Sequence, residues 1–266
     1  SRTGENFDPG IGYIRRTGTT DTFVRLAYGW FARESSPVNR YNFDVTHFTQ
    51  SENGGMEDLI NLNKILDRSI FARFETVFKQ AGTVSFRYNN TQELLKPEDD
   101  FTLLGQIYIP DNAYNYDTFS ISYSSSETTK LQGQLSLSYG KIYDGSRLDF
   151  NASPSYNVNS KLRLSGAYTI TRLNFPELTG RNATDFTAHL AQIRAQFAFN
   201  KIVSASSFIQ YSNVEQLVGA NFRLRVNFSE GRDLWFVFNE QLNTERNYNY
   251  VEYTPLSKAR TILLKY

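Results

Sequence analysis

The sequence predicts an all-β fold, a transmembrane antiparallel up-and-down β-barrel of about 14 strands. Three observations carry this expectation. Apolar and polar residues alternate with a period of two through three successive segments of 130–171. Aromatic residues make up 15% of a chain whose mean hydropathy is only −0.47. The long connections between candidate strands fall in one phase of the strand order and the tight turns in the other.

In the first segment Leu131, Gly133, Leu135, Leu137 and Tyr139 alternate with Gln132, Gln134, Ser136 and Ser138. The second sets Leu148, Phe150, Ala152, Pro154 and Tyr156 against Arg147, Asp149, Asn151, Ser153 and Ser155. In the third, Leu162, Leu164, Gly166, Tyr168 and Ile170 oppose Arg163, Ser165, Ala167, Thr169 and Thr171. A period of two places each set on one face of a strand. Turn residues at 140–145 and 157–160 separate the segments, which therefore read as antiparallel neighbours.

Such strands suit a soluble sandwich with apolar residues inward, or a membrane barrel with apolar residues outward and a polar lumen. Length favours the membrane. At about 10 to 13 residues the segments exceed the roughly 5 or 6 usual in soluble proteins and satisfy the roughly 9 to 11 that a tilted membrane strand needs.

No linker-like tract divides the 266 residues, so one domain is expected, with 1–10 leading into a barrel over 11–266. A hydrophobic fraction of 40% is low for a membrane protein of helices but natural for a barrel, where half of each strand is polar. The chain has no Cys, which excludes disulfides, thiolate metal sites and Cys nucleophiles. A net charge of +1 without a basic, aromatic-interleaved cluster argues against nucleic acid as a partner. No motif calls for a cofactor. No run approaches the roughly 18 apolar residues of a membrane helix. The start at Ser1 carries neither Met nor a signal-peptide core, as expected of a mature form or a piece of a longer protein.

Taken in order, candidate strands fall at 11–16, 23–30, 39–49, 58–79, 84–89, 118–124, the three segments above, 190–199, 202–211, 220–228, 234–239 and 258–266. Within 58–79 the phase slips near Asp67 and Arg68, which either a bulge or a short extra strand explains. The connections 94–116, 173–185 and 241–253 are long, and the one after Gln50 is intermediate. If 58–79 is one bulged strand, even numbers of strands separate these four. They then emerge on one side, with the tight turns at Gln80, Ser125, Asn157, Asn200 and Gly231 on the other, the asymmetry of outer-membrane barrels.

At the C-terminus Ile262, Leu264 and the final Tyr266 alternate with Thr261, Leu263 and Lys265. A terminal aromatic after alternating apolar residues resembles the signature that the barrel-assembly machinery reads on bacterial outer-membrane proteins. At 12–16 (GYIRR) and 233–240 (DLWFVFNE) the chain resembles the C-terminal barrel region of an uncharacterised Bacteroidetes family, domain of unknown function 5916. The resemblance implies an outer-membrane barrel that follows an N-terminal sandwich similar to carbohydrate-binding modules, a domain absent from this sequence. It implies no catalytic residues.

Catalysis would need a nucleophile or water beside a base. His47 and His189 have no neighbouring motif and read as interfacial residues, so no enzyme is expected, with an outer-membrane hydrolase as the alternative. Glu98, Asp99 and Asp100 with Asp111 offer hard oxygen ligands for calcium but lack EF-hand spacing, and read as an acidic surface loop.

With the apolar phases toward lipid, the lumen is expected to receive Arg25, Arg73, Arg87, Lys130, Arg147, Lys161, Arg163, Arg194, Arg223, Arg225 and Lys265 against Asp44, Glu75 and Asp149. A basic lumen favours anions. The expected role is therefore a channel or transporter in the bacterial outer membrane, taking anionic or polar solutes. The alternative is a non-conducting barrel that anchors a periplasmic domain or partner protein. The expected partners are outer-membrane lipid, the barrel-assembly machinery and such a membrane or periplasmic protein. Tyr108, Tyr114, Tyr116, Tyr248, Tyr250 and Tyr253 in the long loops could stack on sugar rings, although girdle duty at the membrane interface is the simpler account.

Overall fold

A computed structural model describes residues 1–8, 10, 16–52, 65–96, 102–103, 107–126, 128–178, 182–246 and 254–266. These residues form strands and no helix. The strands are β1 (Arg2–Thr3), β2 (Thr19–Phe31), β3 (Val38–Glu52), β4 (Ile65–Phe78), β5 (Thr83–Leu94), β6 (Thr102–Leu103), β7 (Ile107–Tyr108) and β8 (Ala113–Ser124). They continue with β9 (Leu131–Ile142), β10 (Gly145–Asn157), β11 (Leu162–Phe175), β12 (Thr184–Ala198), β13 (Val203–Ser212), β14 (Leu217–Ser229), β15 (Arg232–Asn243) and β16 (Ser257–Lys265).

Fourteen of them form one antiparallel up-and-down sheet in the order β1 to β5 and then β8 to β16, while β6 pairs only with β7. The order has two ends, β1 and β16. Apart from β1, every strand of this sheet has between 9 and 15 residues. Their alternation of β-branched or aromatic residues with polar ones is what a pleated ribbon with one wet face requires.

The connections at 53–64, 95–112, 176–183 and 244–256 are longer and share one alternate phase of the strand order, which also holds the short turns 143–144 and 213–216; those of the other phase, at 32–37, 79–82, 125–130, 158–161, 199–202 and 230–231, are all short. Local chemistry makes the short ones tight. The Oδ1 of Asn159 accepts from the backbone N–H of Lys161 at 2.8 Å and of Leu162 at 2.9 Å. Asn200 repeats the arrangement toward Ile202 at 2.8 Å and Val203 at 2.7 Å. Such Asx turns reverse the chain at little conformational cost. At 230–231 the reversal rests on Gly231, whose φ of 76° a side chain would resist.

The expected strand at 11–16 lies outside the described residues except for Arg16, which belongs to no strand. The fourteenth member is instead β1, where Arg2 and Thr3 pair with Thr20 and Thr19. The phase slip in 58–79 is a bulge: Gln50 faces Asp67 and Ser51 faces Ile65, leaving Leu66 extra. Residues 58–64 lie outside the described ones. The connection expected over 94–116 ends at Ala113, so Tyr114 and Tyr116 are strand residues of β8, and the β6–β7 ribbon lies within the connection.

By internal contacts the chain divides into two compact units, Ser1–Ser122 with Ser138–Leu148 and Leu173–Asp185, and Tyr123–Leu137 with Asp149–Arg172 and Phe186–Tyr266. Among the described residues the buried hydrophobic side chains, Leu66, Leu95, Ile107, Ile109, Tyr114, Leu173 and Phe175 among them, all belong to the first unit. Phe175 packs where only glycine fits, since a Cβ on Gly145 would lie 2.6 Å from its ring. Elsewhere many of the alternating apolar residues stay exposed: Leu26 is 72% accessible, Phe119 60% and Ile193 64%. A soluble sandwich would bury that face.

Candidate functional site

The candidate site is the polar face of the sheet, because there the strands bring charged side chains into register. In the first unit Asn42 faces Glu75, Asp44 faces Arg73, and Arg73 faces Arg87. Arg25 lies on the same face, since its partner Thr46 stands two residues from Asp44. The carboxylate of Asp44 organises the group: Arg73 Nε donates to its Oδ1 at 2.8 Å, and Arg25 Nη2 approaches within 3.7 Å. Glu75 accepts from Asn42 Nδ2 at 2.7 Å and lies 3.8 Å from Arg73 Nη1.

Three further carboxylates, Asp21, Asp67 and Glu93, share this face, because Asp21 and Asp67 both face Gln50 and Asp67 faces Glu93. Arg16 reaches in beside them, donating to Asp67 Oδ2 at 3.1 Å and to the Leu94 carbonyl at 2.7 Å. The first unit's polar face therefore carries as much acid as base.

The second unit differs. Arg194 faces Phe208, Gln196 faces Ser206, Ser206 faces Arg223, and Ser204 faces Arg225. Arg225 is held by a two-pronged ion pair to Asp233 at 2.9 and 3.0 Å, with its guanidinium 5.4 Å from the Trp235 ring centre. Arg194 lies over the Phe208 ring at 5.1 Å. Arg163 Nε donates to Ser155 Oγ at 2.8 Å, and Asp149 accepts from Thr171 Oγ1 at 2.8 Å. Arg223 makes no ion pair among the described residues. Lys161, Arg163, Arg223, Arg225 and Trp235 line a concavity of about 480 Å³ on this face.

Of the expected lumen residues, Arg25, Arg73, Arg87 and Arg147 thus belong to the first unit, and Asp149, Arg163, Arg194, Arg223 and Arg225 to the second. Of the carboxylates that the alternation did not bring out, Asp21, Glu93 and Asp233 lie where strands run past their evident apolar stretch. Asp67, within the expected strand, was hidden by the bulge.

At the C-terminus, Ile262 and Leu264 face Phe238 and Phe236, and Tyr266 accepts a hydrogen bond from Arg232 Nη2 at 2.9 Å. The two histidines have separate neighbours. His47 Nε2 lies 3.0 Å from Thr49 Oγ1, while His189 Nδ1 lies 2.9 Å from the Tyr168 hydroxyl, the two rings stacked. Of the acidic cluster weighed for calcium only Asp111 is described; Glu98, Asp99 and Asp100 lie outside, as do Tyr248, Tyr250 and Tyr253. Tyr114 is buried, its hydroxyl donating to the Pro110 carbonyl at 2.7 Å, so it offers no loop surface for a sugar ring. No family model, curated protein or solved structure matches the chain.

Proposed function

We propose that the chain is a bacterial outer-membrane β-barrel whose polar face lines a passage for anionic or polar solutes. The observation that carries this reading is the split between the two faces: many of the alternating apolar residues are exposed, whereas the face opposite holds the Arg73–Asp44 and Arg225–Asp233 pairs, and the Glu240–Arg260 pair stands on the apolar side only toward the end of β15. Lipid would cover the first and water the second. The strand lengths support it, as does the cluster in which Trp30 stacks with Tyr28 at 5.7 Å and Tyr41 at 5.4 Å near one end of the apolar face, as in an interfacial girdle. A membrane admits no open strand edge, so the reading requires a closed sheet.

The test is the conductance of purified, detergent-refolded protein in a planar bilayer under a salt gradient. Stable steps with a reversal potential of anion preference support the reading; a folded protein that never conducts sinks it.

One observation favours the second reading, a non-conducting anchor for a periplasmic domain or partner, which the family resemblance also suggests. Tyr114 shares the face of Ser122, whose hydroxyl bonds Ser85 Oγ at 2.7 Å, so the Tyr114–Pro110 bond holds the Pro110 carbonyl on the polar side of the first unit. A barrel obstructed there would hold a partner without passing solutes.

A further inference from the structure

We infer that the second unit carries a binding site for a phosphate group, in the concavity lined by Lys161, Arg163 and Arg223 on its polar face beside the turn at 158–161. The inference rests on the proposed reading only in taking this face as the wet one.

The second unit's polar face carries charge that has no local use. In the first unit three arginines of the polar face meet carboxylates: Asp44 serves Arg73 and Arg25, and Asp67 serves Arg16. In the second unit Asp233 serves Arg225, and that pair is completed by Asn227 Nδ2 donating to Asp233 at 2.7 Å. Arg223 and the Lys161 ammonium have no such counter-charge among the described residues, and Arg163 is bonded only to a neutral hydroxyl. Three cations gathered on one concavity repel one another unless an anion joins them, and a guanidinium fork matches a phosphate edge in two parallel hydrogen bonds.

The surroundings fit that occupant. Ser204, Ser206 and Gln196 line the same concavity, supplying neutral donors for remaining phosphate oxygens. Arg225, clamped by Asp233 and lying over Trp235, forms a rigid wall, so the site's shape does not depend on the ligand. A dianion can engage several cations at once, which a carboxylate monoanion does less well. At about 480 Å³ the concavity has room for a phosphate with a small group attached.

Trp235 makes the test direct. The chain has 2 Trp, so Trp30→Phe leaves Trp235 as the sole reporter at the site. Detergent-refolded Trp30→Phe protein is titrated with inorganic phosphate, with glycerol phosphate and with acetate, each at ionic strength fixed by sodium chloride, while Trp235 fluorescence is followed. Both phosphates are expected to give a saturable change and acetate a binding at least about tenfold weaker. Arg223→Ala and Arg163→Ala should each weaken phosphate about tenfold or more, the loss of one charge-assisted contact. Arg223→Lys should recover part of it, and Arg33→Ala, in the 32–37 turn of the first unit, should change nothing. Tighter binding of glycerol phosphate would point to an ester as the natural ligand, and equal or weaker binding to free phosphate.

No saturable change, or one unaltered by both arginine substitutions, would overturn the inference. Saturable binding without bilayer conductance would uphold this site and sink the passage reading; conductance without saturable binding would do the reverse.

Discussion

Arg73 and Arg87 stand directly opposite each other across β4 and β5, two like charges at one rung of the ladder. Such a pair is unfavourable unless something holds one of them. Asp44 does so from the other side of Arg73, on β3, with its side chain 12% exposed. The carboxylate therefore compensates the arginine rung and also bonds the strand pair across which it reaches.

Asp44→Asn keeps the shape and removes the charge. The expected cost is about 2 kcal/mol, the worth of a partly buried hydrogen bond between charged groups. A lower urea midpoint for the detergent-folded protein would register it. In a conducting barrel the same change should strengthen anion preference, since Arg25 and Arg73 then lose their shared counter-charge.

Placing a cation on the apolar face separates membrane from water. Leu26 is 72% exposed, so in a water-soluble protein Leu26→Arg should alter stability by no more than about 0.5 kcal/mol. In a bilayer the same change near mid-strand costs about 2 to 4 kcal/mol. Phe119→Arg, on β8 and 60% exposed, should behave alike. Folding equilibria measured in lipid vesicles distinguish the outcomes.

Gly140 tests the pairing of β8 with the end of β9. A Cβ there would meet the Asp117 carbonyl oxygen at 2.2 Å and the Thr118 Cα at 2.6 Å, both backbone, so the strands would have to part. Gly140→Ala should cost about 1 to 3 kcal/mol, seen as a smaller folded fraction on unheated gels. Gly219→Ala, with open space around it, should cost far less.

The alternation that made the fold legible is strongest where one face is continuously apolar. Leu131 to Tyr139 and Leu162 to Ile170 therefore read correctly almost to their ends. It fades where a strand passes beyond the apolar band and both faces turn polar. Asp21, Glu93 and Asp233 sit in such ends, and their carboxylates alter the charge of the face that Arg25, Arg87 and Arg225 alone would make basic. A period-two pattern also carries no information about an inserted residue until pairing is known. The Leu66 bulge thus appeared only as a slip of phase, and Asp67 fell on the wrong side of it. The placement of Tyr114 depended on its hydroxyl finding the Pro110 carbonyl, a contact that composition does not announce.

The chain has no native Cys, so single cysteines can be placed one at a time along β9 and tested with a membrane-impermeant maleimide on protein folded into lipid vesicles. The account predicts a period of two: cysteines at Leu131, Leu135, Leu137 and Tyr139 protected, those at Gln132, Gln134, Ser136 and Ser138 labelled. Equal labelling of both sets would mean that water reaches the apolar face, and would contradict the membrane barrel.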